Sequence, residues 1–274
     1  MSRIAATFAR LKQEERAGLI PFVEAFDPDR ATSLALLIGM ADHGADIIEI
    51  GMPFTDPMAD GPSIQRAGRR ALRAGATVAG TLGLVREFRA AHEAVPLVLM
   101  GYLNPILSYG ADRFAADAAA AGVDGIIIVD MPPEESDFLI PALIRNKIDL
   151  IRLVAPTTND VRLPLVLKNC SGFAYYVSIT GITGTRTASA EELARDIPRI
   201  RAVTNLPIAV GFGVRSPEQA AVVARYADAA VVASALIDRM AEGLDQAGHA
   251  PQSTINAVLA DVSALVSGVR KARL

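Results

Sequence analysis

Short apolar runs recur along the whole chain, and between them apolar residues return every three or four positions. Hydrophobic residues are continuous within the runs, which is typical of strands buried on both faces of a parallel sheet. The runs predict eight strands, over residues 18–25, 45–51, 96–102, 125–130, 149–155, 174–179, 207–212 and 229–234. The intervening periodicity predicts helices over residues 30–43, 63–91, 111–121, 133–146, 160–169, 190–203, 216–226 and 253–271.

Two further helical patterns and a weak repeat complete this βα series. The stretch MSRIAATFARLKQEE (1–15) predicts an extra amino-terminal helix, and SALIDRM (234–240) predicts a short helix before the last one. Three helix-to-strand junctions share a small or turn residue, then Asp, then the strand: HGADIIEIG, AGVDGIIIVD and RYADAAVVAS. With no Pro/Ser-rich linker, the repeat favours one α/β domain over residues 1–274, a (β/α)8 TIM barrel. A doubly wound open sheet is the alternative.

Composition narrows the class of partner. The 274 residues are 51% hydrophobic with a net charge of −3, and the arginines are scattered, so no nucleic-acid partner is expected. The amino terminus lacks the apolar core of a signal peptide, and we expect a cytoplasmic protein without a membrane partner. The single Cys170 excludes an intramolecular disulfide. It is interpreted as a small buried residue and not as a nucleophile, because no His lies nearby in sequence.

In a barrel of this kind, chemistry is expected where strands end and βα loops begin. Glycine-rich segments TGITGT (180–185) and GFG (211–213) follow the sixth and seventh strands, and Ser234 opens the short helix after the eighth. Glycines let backbone N–H groups approach an anion, and a helix N-terminus adds partial positive charge. Each segment alone could be a tight turn, but together they predict a phosphate site.

Two kinds of chemistry are not expected from the sequence. The four lysines fall in predicted helices or at helix-to-strand junctions, away from the strand ends where a Schiff base would form: Lys12, Lys147, Lys168 and Lys271. The three histidines, His43, His92 and His249, fall at helix ends or in a polar loop, so no metal site is predicted.

Carboxylates therefore become the candidate acids and bases. Glu49 lies near the end of the second strand between Ile48 and Ile50, so its side chain is expected to point into the barrel mouth. Desolvation there would raise its pKa toward neutrality, as acid/base catalysis requires. Asp60 follows a proline- and glycine-bounded loop that could return across the same opening. A structural role for Glu49 and helix N-capping by Asp60 stay open, and Asp56 is interpreted as a turn residue.

Six segments resemble, in order and spacing, the motifs of the tryptophan synthase alpha chain family. They are EIGMPFTDPMADGPSIQ (49–65), MGYLNPIL (100–107), GVDGIIIVDMPPEES (122–136), LVAPTT (153–158), YYVSITGITG (175–184) and GFGVRSPEQ (211–219). The resemblance implies a barrel that cleaves indole-3-glycerol phosphate to indole and glyceraldehyde 3-phosphate in tryptophan biosynthesis. It also implies an α2β2 assembly with a beta chain that carries pyridoxal phosphate, and no cofactor on this chain.

The resemblance assigns roles to individual positions. Glu49 is then the acid/base that protonates indole C3 and takes the glycerol hydroxyl proton, and Asp60 accepts a hydrogen bond from the indole N–H. The positions that match the indole pocket and its rim are Phe22, Met100, Tyr102, Tyr175 and Thr183. The positions that match the phosphate site are Gly184, Gly211, Phe212, Gly213, Ala233 and Ser234. Segments around Pro53 to Pro57, Asn104 and Pro132 resemble the family's contacts with the beta chain.

The chain departs from the family pattern at four positions. After the first strand the family usually reads VTAGDPD, whereas this chain reads VEAFDPD, so that Glu24 replaces a small polar residue and Phe26 a glycine. A third carboxylate at the mouth is expected to raise the pKa of Glu24 or Glu49 by like-charge repulsion. Met100 replaces leucine, and Ala233 replaces glycine beside the phosphate loop.

Three other functions stay open at this point. The altered loop after strand one is a hint of a lyase that works without a beta partner. A non-catalytic barrel that regulates a partner would have no reason to keep both Glu49 and Asp60. A different phosphate-binding barrel, such as an isomerase, usually has other acids or a lysine at its strand ends.

Overall fold

The computed structural model describes residues 2–177, 189–211 and 213–273, and its centre is a closed barrel of eight parallel strands. Each strand pairs with the next one along the chain, and the eighth pairs with the first. The strands are β1 (Gly18–Glu24), β2 (Ile48–Gly51), β3 (Leu97–Gly101), β4 (Gly125–Ile128), β5 (Asp149–Val154), β6 (Ala174–Val177), β7 (Ile208–Gly211) and β8 (Ala229–Val232). The predicted (β/α)8 barrel is confirmed.

Helices surround the barrel and connect its strands. They are α1 (Arg3–Gln13), α2 (Arg30–Asp42), α3 (Pro62–Arg73), α4 (Val78–Ala91), α5 (Leu103–Tyr109), α6 (Ala111–Ala121), α7 (Ile140–Arg145), α8 (Leu163–Leu167), α9 (Ala190–Arg201), α10 (Pro217–Tyr226), α11 (Ser234–Glu242) and α12 (Gln252–Arg270), with a 3-10 helix at Pro133–Glu135. Of the helices described, none combines the length and apolar character needed to cross a membrane.

Three helix predictions were wrong in detail. The predicted helix 63–91 is two helices, because Gly75 adopts a left-handed φ of 85° and the hydroxyl of Thr77 caps the new N-terminus at Gly80 N. The predicted helix 133–146 is a 3-10 turn followed by the short α7. Helix α5 was not predicted, since its seven residues contain Pro105 and are too few to show a helical period.

Alternation along the strands separates two apolar layers. Ile48 and Ile50 of β2 point outward and join the layer between barrel and helices. Side chains that point inward fill the barrel itself: Ile20, Ile47, Val98, Ile127, Ile151, Tyr175 and Val231. Because side chains alternate along a strand, Glu49 points inward from between its two isoleucine neighbours.

Helix α1 closes the end of the barrel where the strands begin. Its apolar face, Ile4, Phe8 and Leu11, packs against the inward-facing side chains. This confirms the predicted extra helix and leaves the opposite end, where the strands finish, open for a site.

The three predicted junction repeats share one contact. Each aspartate precedes a strand and accepts the backbone N–H of a residue at or next to the start of the preceding strand. The three pairs are Asp46 with Leu19 (3.1 Å), Asp124 with Leu97 (2.8 Å) and Asp228 with Ile208 (2.8 Å). Each aspartate is also paired with arginine, and Arg3 and Arg10 of α1 take part in two of these pairs. The repeat therefore joins neighbouring strands at the closed end of the barrel.

Candidate functional site

The buried carboxyl groups of the described residues fall into two classes. Four are paired with arginine: Asp27, Asp46, Asp124 and Asp196. The other three, Glu24, Glu49 and Asp60, have no ion pair among the residues described, and all lie at the carboxyl ends of β1 and β2 or in the loop that follows. Burying a carboxyl without a cation is costly and raises its pKa. Such a cluster at the open end of a barrel indicates a reaction centre.

Glu49 is the most deeply buried of the three, with 1% of its surface exposed. Its β2 position pairs with Phe22 on one side and Val98 on the other, which surrounds it with apolar side chains. Its Oε2 has no hydrogen-bond partner in the described part of the chain. Burial raises the pKa of Glu49 to about 8, so the group holds a proton at neutral pH.

Asp60 is 7% exposed and ends the loop that follows β2. The expected alternative, helix capping, is wrong: the N-cap of α3 is Gly61, and no side chain caps that helix. Burial raises the pKa of Asp60 to about 6, and a hydrogen bond with the Tyr102 hydroxyl acts in the opposite direction. Its Oδ1 has no partner among the described residues. Asp60 is therefore mostly ionised at pH 7, with one oxygen that no described residue pairs.

Tyr102 positions the loop that carries Asp60. Its hydroxyl accepts the backbone N–H of Ala59 at 3.0 Å, and its ring packs 5.4 Å from that of Phe54, centroid to centroid. The tyrosine was expected in the substrate pocket, and its contacts show a supporting role for the Asp60 loop. In the sequence, the position of Tyr102 at the end of a strand is the only signal that could have indicated this supporting role.

Tyr175 of β6 faces Glu49 across the open end of the barrel. The pKa of the Tyr175 phenol is raised, first by burial and then by the negative charge of Glu49, which places the two side chains near each other. Space for this tyrosine comes from Gly211 on the neighbouring β7, where an added Cβ would lie 2.2 Å from the hydroxyl. Phe22 and Met100 pack together in the apolar cluster beside the carboxyl groups.

Glu24 interacts with a different partner from the one expected. The pKa of Glu24 is raised well above its ordinary value, first by burial and then by the charges of Asp60 and Asp27, and not by Glu49. Glu24 pairs in register with Gly51, which lies two residues beyond Glu49 toward the barrel mouth. The Glu24 carboxyl lies over that glycine. The missing side chain at position 51 therefore leaves the space that the Glu24 carboxyl occupies.

Phe26, the second departure in this loop, adopts a backbone conformation that favours glycine. Its φ is 68°, in the left-handed region. The ring is buried against α4, where an added Cβ at Gly80 would lie 2.8 Å from Cζ, and its N–H donates to the Ser33 hydroxyl at 3.1 Å. Burial of the ring and this hydrogen bond offset the conformational cost.

Part of the predicted phosphate site can be described. Gly211 ends β7, Gly213 adopts a φ of 75°, and Ala233 is the N-cap of α11 without a side-chain cap. The first backbone N–H groups of α11, beginning at the half-buried Ser234, lie at the carboxyl end of β8. Two other predicted phosphate positions, Gly184 and Phe212, lie outside the described residues, as does Thr183 of the predicted indole pocket.

An ion-pair network that sequence reasoning missed ties α11 to α3. Asp238 of α11 accepts the Ser63 hydroxyl at 2.6 Å and the Arg215 guanidinium at 2.8 Å. Ser63 lies in the first turn of α3, three residues after Asp60. The network therefore fixes the helix of the phosphate side relative to the helix that follows Asp60.

Cys170, His43 and Asp56 take no part in this carboxyl cluster. Burial raises the pKa of the Cys170 thiol to about 11, so it is not a thiolate at neutral pH. His43 Nδ1 is within 2.7 Å of the Gly39 carbonyl of its own helix end. Asp56 is exposed and accepts the hydroxyl of its neighbour Thr55, within the loop.

The chain is similar to known proteins along nearly its whole length. The sequence profile of the family described as "Tryptophan synthase alpha chain" matches residues 8–266. The chain is 75% identical over 273 residues to the tryptophan synthase alpha chain of Acidiphilium cryptum, covering 100% of this chain and 99% of the relative. It is 62% identical to the one from Granulibacter bethesdensis, covering 100% and 98%.

Solved structures give the same result. Tryptophan synthase subunit alpha from Legionella pneumophila superposes with a TM-score of 0.89 at 37% identity, covering 98% of both chains. A chain of tryptophan synthase from Mycobacterium tuberculosis superposes with a TM-score of 0.88 at 38% identity, covering 98% of this chain and 99% of that one. With a matching profile over most of its length and relatives this similar, the chain belongs to the tryptophan synthase alpha chain family.

Proposed function

We propose that the chain cleaves indole-3-glycerol phosphate to indole and glyceraldehyde 3-phosphate, with Glu49 and Asp60 as its catalytic pair. The reaction is that of a lyase subunit in tryptophan biosynthesis and follows from the family. The observation that carries the assignment of residues is that two buried carboxyls, neither paired with a described cation, have their pKa values raised to different extents, to about 8 and about 6. Two carboxyls in different environments can act at pH 7 as one acid and one anion.

Glu49 supplies the proton transfers. In its protonated form it donates to C3 of the indole ring, which leaves a cation delocalised toward the ring nitrogen. The bond between C3 and the glycerol carbon then breaks, and its electron pair restores the aromatic indole. The hydroxyl on that carbon becomes the aldehyde, and its proton returns to Glu49, which is regenerated.

Asp60 stabilises the cation that forms between these steps. Its carboxylate has one buried oxygen without a described partner, the kind of acceptor that a ring N–H would satisfy. Positive charge on that nitrogen develops only after C3 is protonated. The attraction to Asp60 is therefore larger in the transition state than in the ground state, as catalysis requires.

The apolar cluster around the carboxyls suits an indole ring. Phe22 and Met100 would contact the ring, and the Tyr175 hydroxyl beside Glu49 would orient the glycerol moiety. Tyr102 would support Asp60 through its hydroxyl and its hold on Ala59. Thr183 belongs to this proposal by family resemblance alone.

The phosphate group would lie across the barrel mouth, at the ends of β7 and β8. Gly211 and Gly213 allow close backbone approach, and the N-terminus of α11 at Ala233 and Ser234 offers N–H groups and a favourable dipole. Gly184 and Phe212 join the set by resemblance. An anion bound there would hold the glycerol chain with its far end toward Glu49.

A beta chain is implied as partner by the relatives, and the loops at the barrel mouth are the face we assign to it. A cleft of about 530 Å³ opens there, lined by Pro53, Phe54, Thr55, Leu72, Asn104, Pro105, Leu107 and Ser108. Leu107 of this lining is exposed, and Met58 and Phe138, in the segments after β2 and β4, also expose apolar surface. An α2β2 complex in the cytoplasm, with pyridoxal phosphate on the beta chain, completes the proposal. The cleavage itself consists of proton transfers and one bond scission, which need no cofactor on this chain.

Indole release by purified variants tests the catalytic pair. Glu49→Gln should abolish indole release from indole-3-glycerol phosphate while still binding indole-propanol phosphate, because the amide cannot exchange the proton. Asp60→Asn should lower kcat by a factor on the order of 100, the usual loss for one stabilising group. Glu87→Gln, an exposed glutamate paired with Arg30, is the matched control and should keep wild-type turnover. Unchanged turnover in Glu49→Gln would refute the assignment.

Titration with the beta chain separates the two partner hypotheses. An alpha subunit should be strongly activated when the beta chain of a close relative is added, whereas a stand-alone lyase should be insensitive to it. Replacing the exposed Leu107 by Asp should weaken that activation without lowering the basal rate.

A further inference from the structure

Glu24 occupies a notch whose walls are two glycines. The residue ends β1, pairs in register with Gly51 of β2, and is only 5% exposed. An added Cβ at Gly51 would lie within 2.1 Å of Glu24 Oε2, and one at Gly68 of α3 would lie 3.8 Å from Oε1. The carboxyl is therefore enclosed between β2 and α3, and the chain keeps room for it on both sides.

Charged groups reach this notch from the described elements around it, and none of these elements gives Glu24 an ion pair. Asp27 comes from the loop after β1, and Asp60 from the loop before α3. The guanidinium of Arg70 on α3 is engaged by Asp27 through two contacts, of 2.6 Å and 2.8 Å. No hydrogen bond to the Glu24 carboxyl is found within the described ranges of the chain.

Two carboxyls that repel each other in a buried site release their protons in separate steps. Asp60 has the Tyr102 hydroxyl to stabilise its charged form, whereas Glu24 has no comparable donor among the residues described. Asp60 therefore ionises first, and its charge then opposes ionisation of Glu24.

We propose that Glu24 is a positioning residue that acts through Asp60, retaining its proton so that a single negative charge faces the ring nitrogen of the substrate. The inference rests on the proposed function for its catalytic meaning. A second negative charge in the notch would repel a substrate that carries a phosphate. It would also repel the Asp60 carboxylate and so disturb the orientation in which Asp60 meets the developing cation. A neutral acid at position 24 prevents both.

Carboxyl ¹³C NMR on the full chain, labelled at glutamate Cδ, tests without turnover whether Glu24 retains its proton. Glu24→Gln identifies the Glu24 resonance by its loss. In the wild type this resonance should titrate at a higher pH than an ordinary glutamate, and in Asp60→Asn its midpoint should fall, since the repelling charge is gone. Glu87→Gln is the control and should leave the midpoint unchanged. A Glu24 midpoint at an ordinary glutamate value, or one that does not move in Asp60→Asn, would overturn the proposal.

Kinetics then show whether the proton matters for the reaction. As the pH passes the Glu24 midpoint found by NMR, KM for indole-3-glycerol phosphate should rise more in the wild type than in Glu24→Gln, because only the wild type gains the second charge. Glu24→Ala should lose activity that Glu24→Gln recovers, since the amide refills the notch. A parallel change of KM in wild type and Glu24→Gln would refute the positioning role.

The two proposals fail in different ways. A wild-type chain that released no indole under any condition would refute the lyase function, while the NMR titration would still decide whether Glu24 retains its proton beside an ionised Asp60. If Glu24→Gln does not fold, Glu24→Met, which is neutral and of similar length, takes its place in both measurements.

Discussion

The burial of Glu49 predicts that this residue destabilises the folded protein as pH rises. In the unfolded chain the group titrates near its ordinary value of 4.5, whereas burial raises its folded-state pKa to about 8. Between these values the unfolded state gains stability by losing the proton, and the folded state does not. The free energy of unfolding should therefore fall from pH 5 to pH 8 because of this one residue.

Glu49→Gln removes that effect, and its size follows from the two pKa values. From the difference between the folded and unfolded pKa values, Glu49 lowers the free energy of unfolding of the wild type by about 1 kcal/mol at pH 5 and by about 4 kcal/mol at pH 8. The amide adds a constant offset of its own that does not vary with pH. The difference between variant and wild type should thus increase by about 3 kcal/mol in favour of the variant over this range.

Urea unfolding followed by circular dichroism at pH 5, 6, 7 and 8 measures this difference. Glu87→Gln is the control: its carboxylate is exposed and its pKa is lowered by Arg30, so any pH trend should have the opposite sign. A stability difference for Glu49→Gln that stays constant with pH, or that decreases toward pH 8, would refute the reasoning. The confirmed trend would mean that the residue proposed for catalysis is retained at a cost in stability.

Three further predictions follow from the same contacts. The pH profile of kcat/KM should be bell-shaped, falling below about pH 6 as Asp60 is protonated and above about pH 8 as Glu49 loses its proton, and Asp60→Glu should move only the acid limb. Gly211→Ala should lower kcat/KM on the order of tenfold in steady-state assays, because the new methyl lies 2.2 Å from the Tyr175 hydroxyl and displaces it; a wild-type value would contradict this. Asp46→Asn should lower the unfolding free energy by about 3 kcal/mol in urea titrations, because two arginines lose their buried partner. No change would contradict the role of Asp46 in joining β1 to β2.

The sequence was sufficient for the strands because both faces of a parallel barrel strand are buried, which makes an apolar run a direct signal. It was insufficient where one residue breaks a continuous helical period, as Gly75 does between α3 and α4. Helix α5 was missed because seven residues cannot show a period. Helix boundaries near turns therefore depended on backbone conformations that residue types alone do not determine.

The candidate site was also predicted only in part from the sequence. Alternation along β2 predicted the inward direction of Glu49, and the loop spacing predicted the return of Asp60. The partner of Glu24 was predicted wrongly, because the space over Gly51 is a property of two paired strands and not of either segment. The contact of Tyr102 with the Asp60 loop and the Ser63–Asp238 contact were missed for a similar reason, since the partners are far apart in sequence.

The aspartate contacts at the closed end also bear on the order in which the barrel folds. Each of them spans only 20 to 27 residues, so a strand can be fastened to its predecessor soon after the next unit leaves the ribosome. Closure is different: the bond from Gly18 N–H to the Asp228 carbonyl joins positions from opposite ends of the chain. The three aspartate contacts are local and favour stepwise growth of the sheet. The pairing of β1 and β8 is then the last event and the slowest to nucleate.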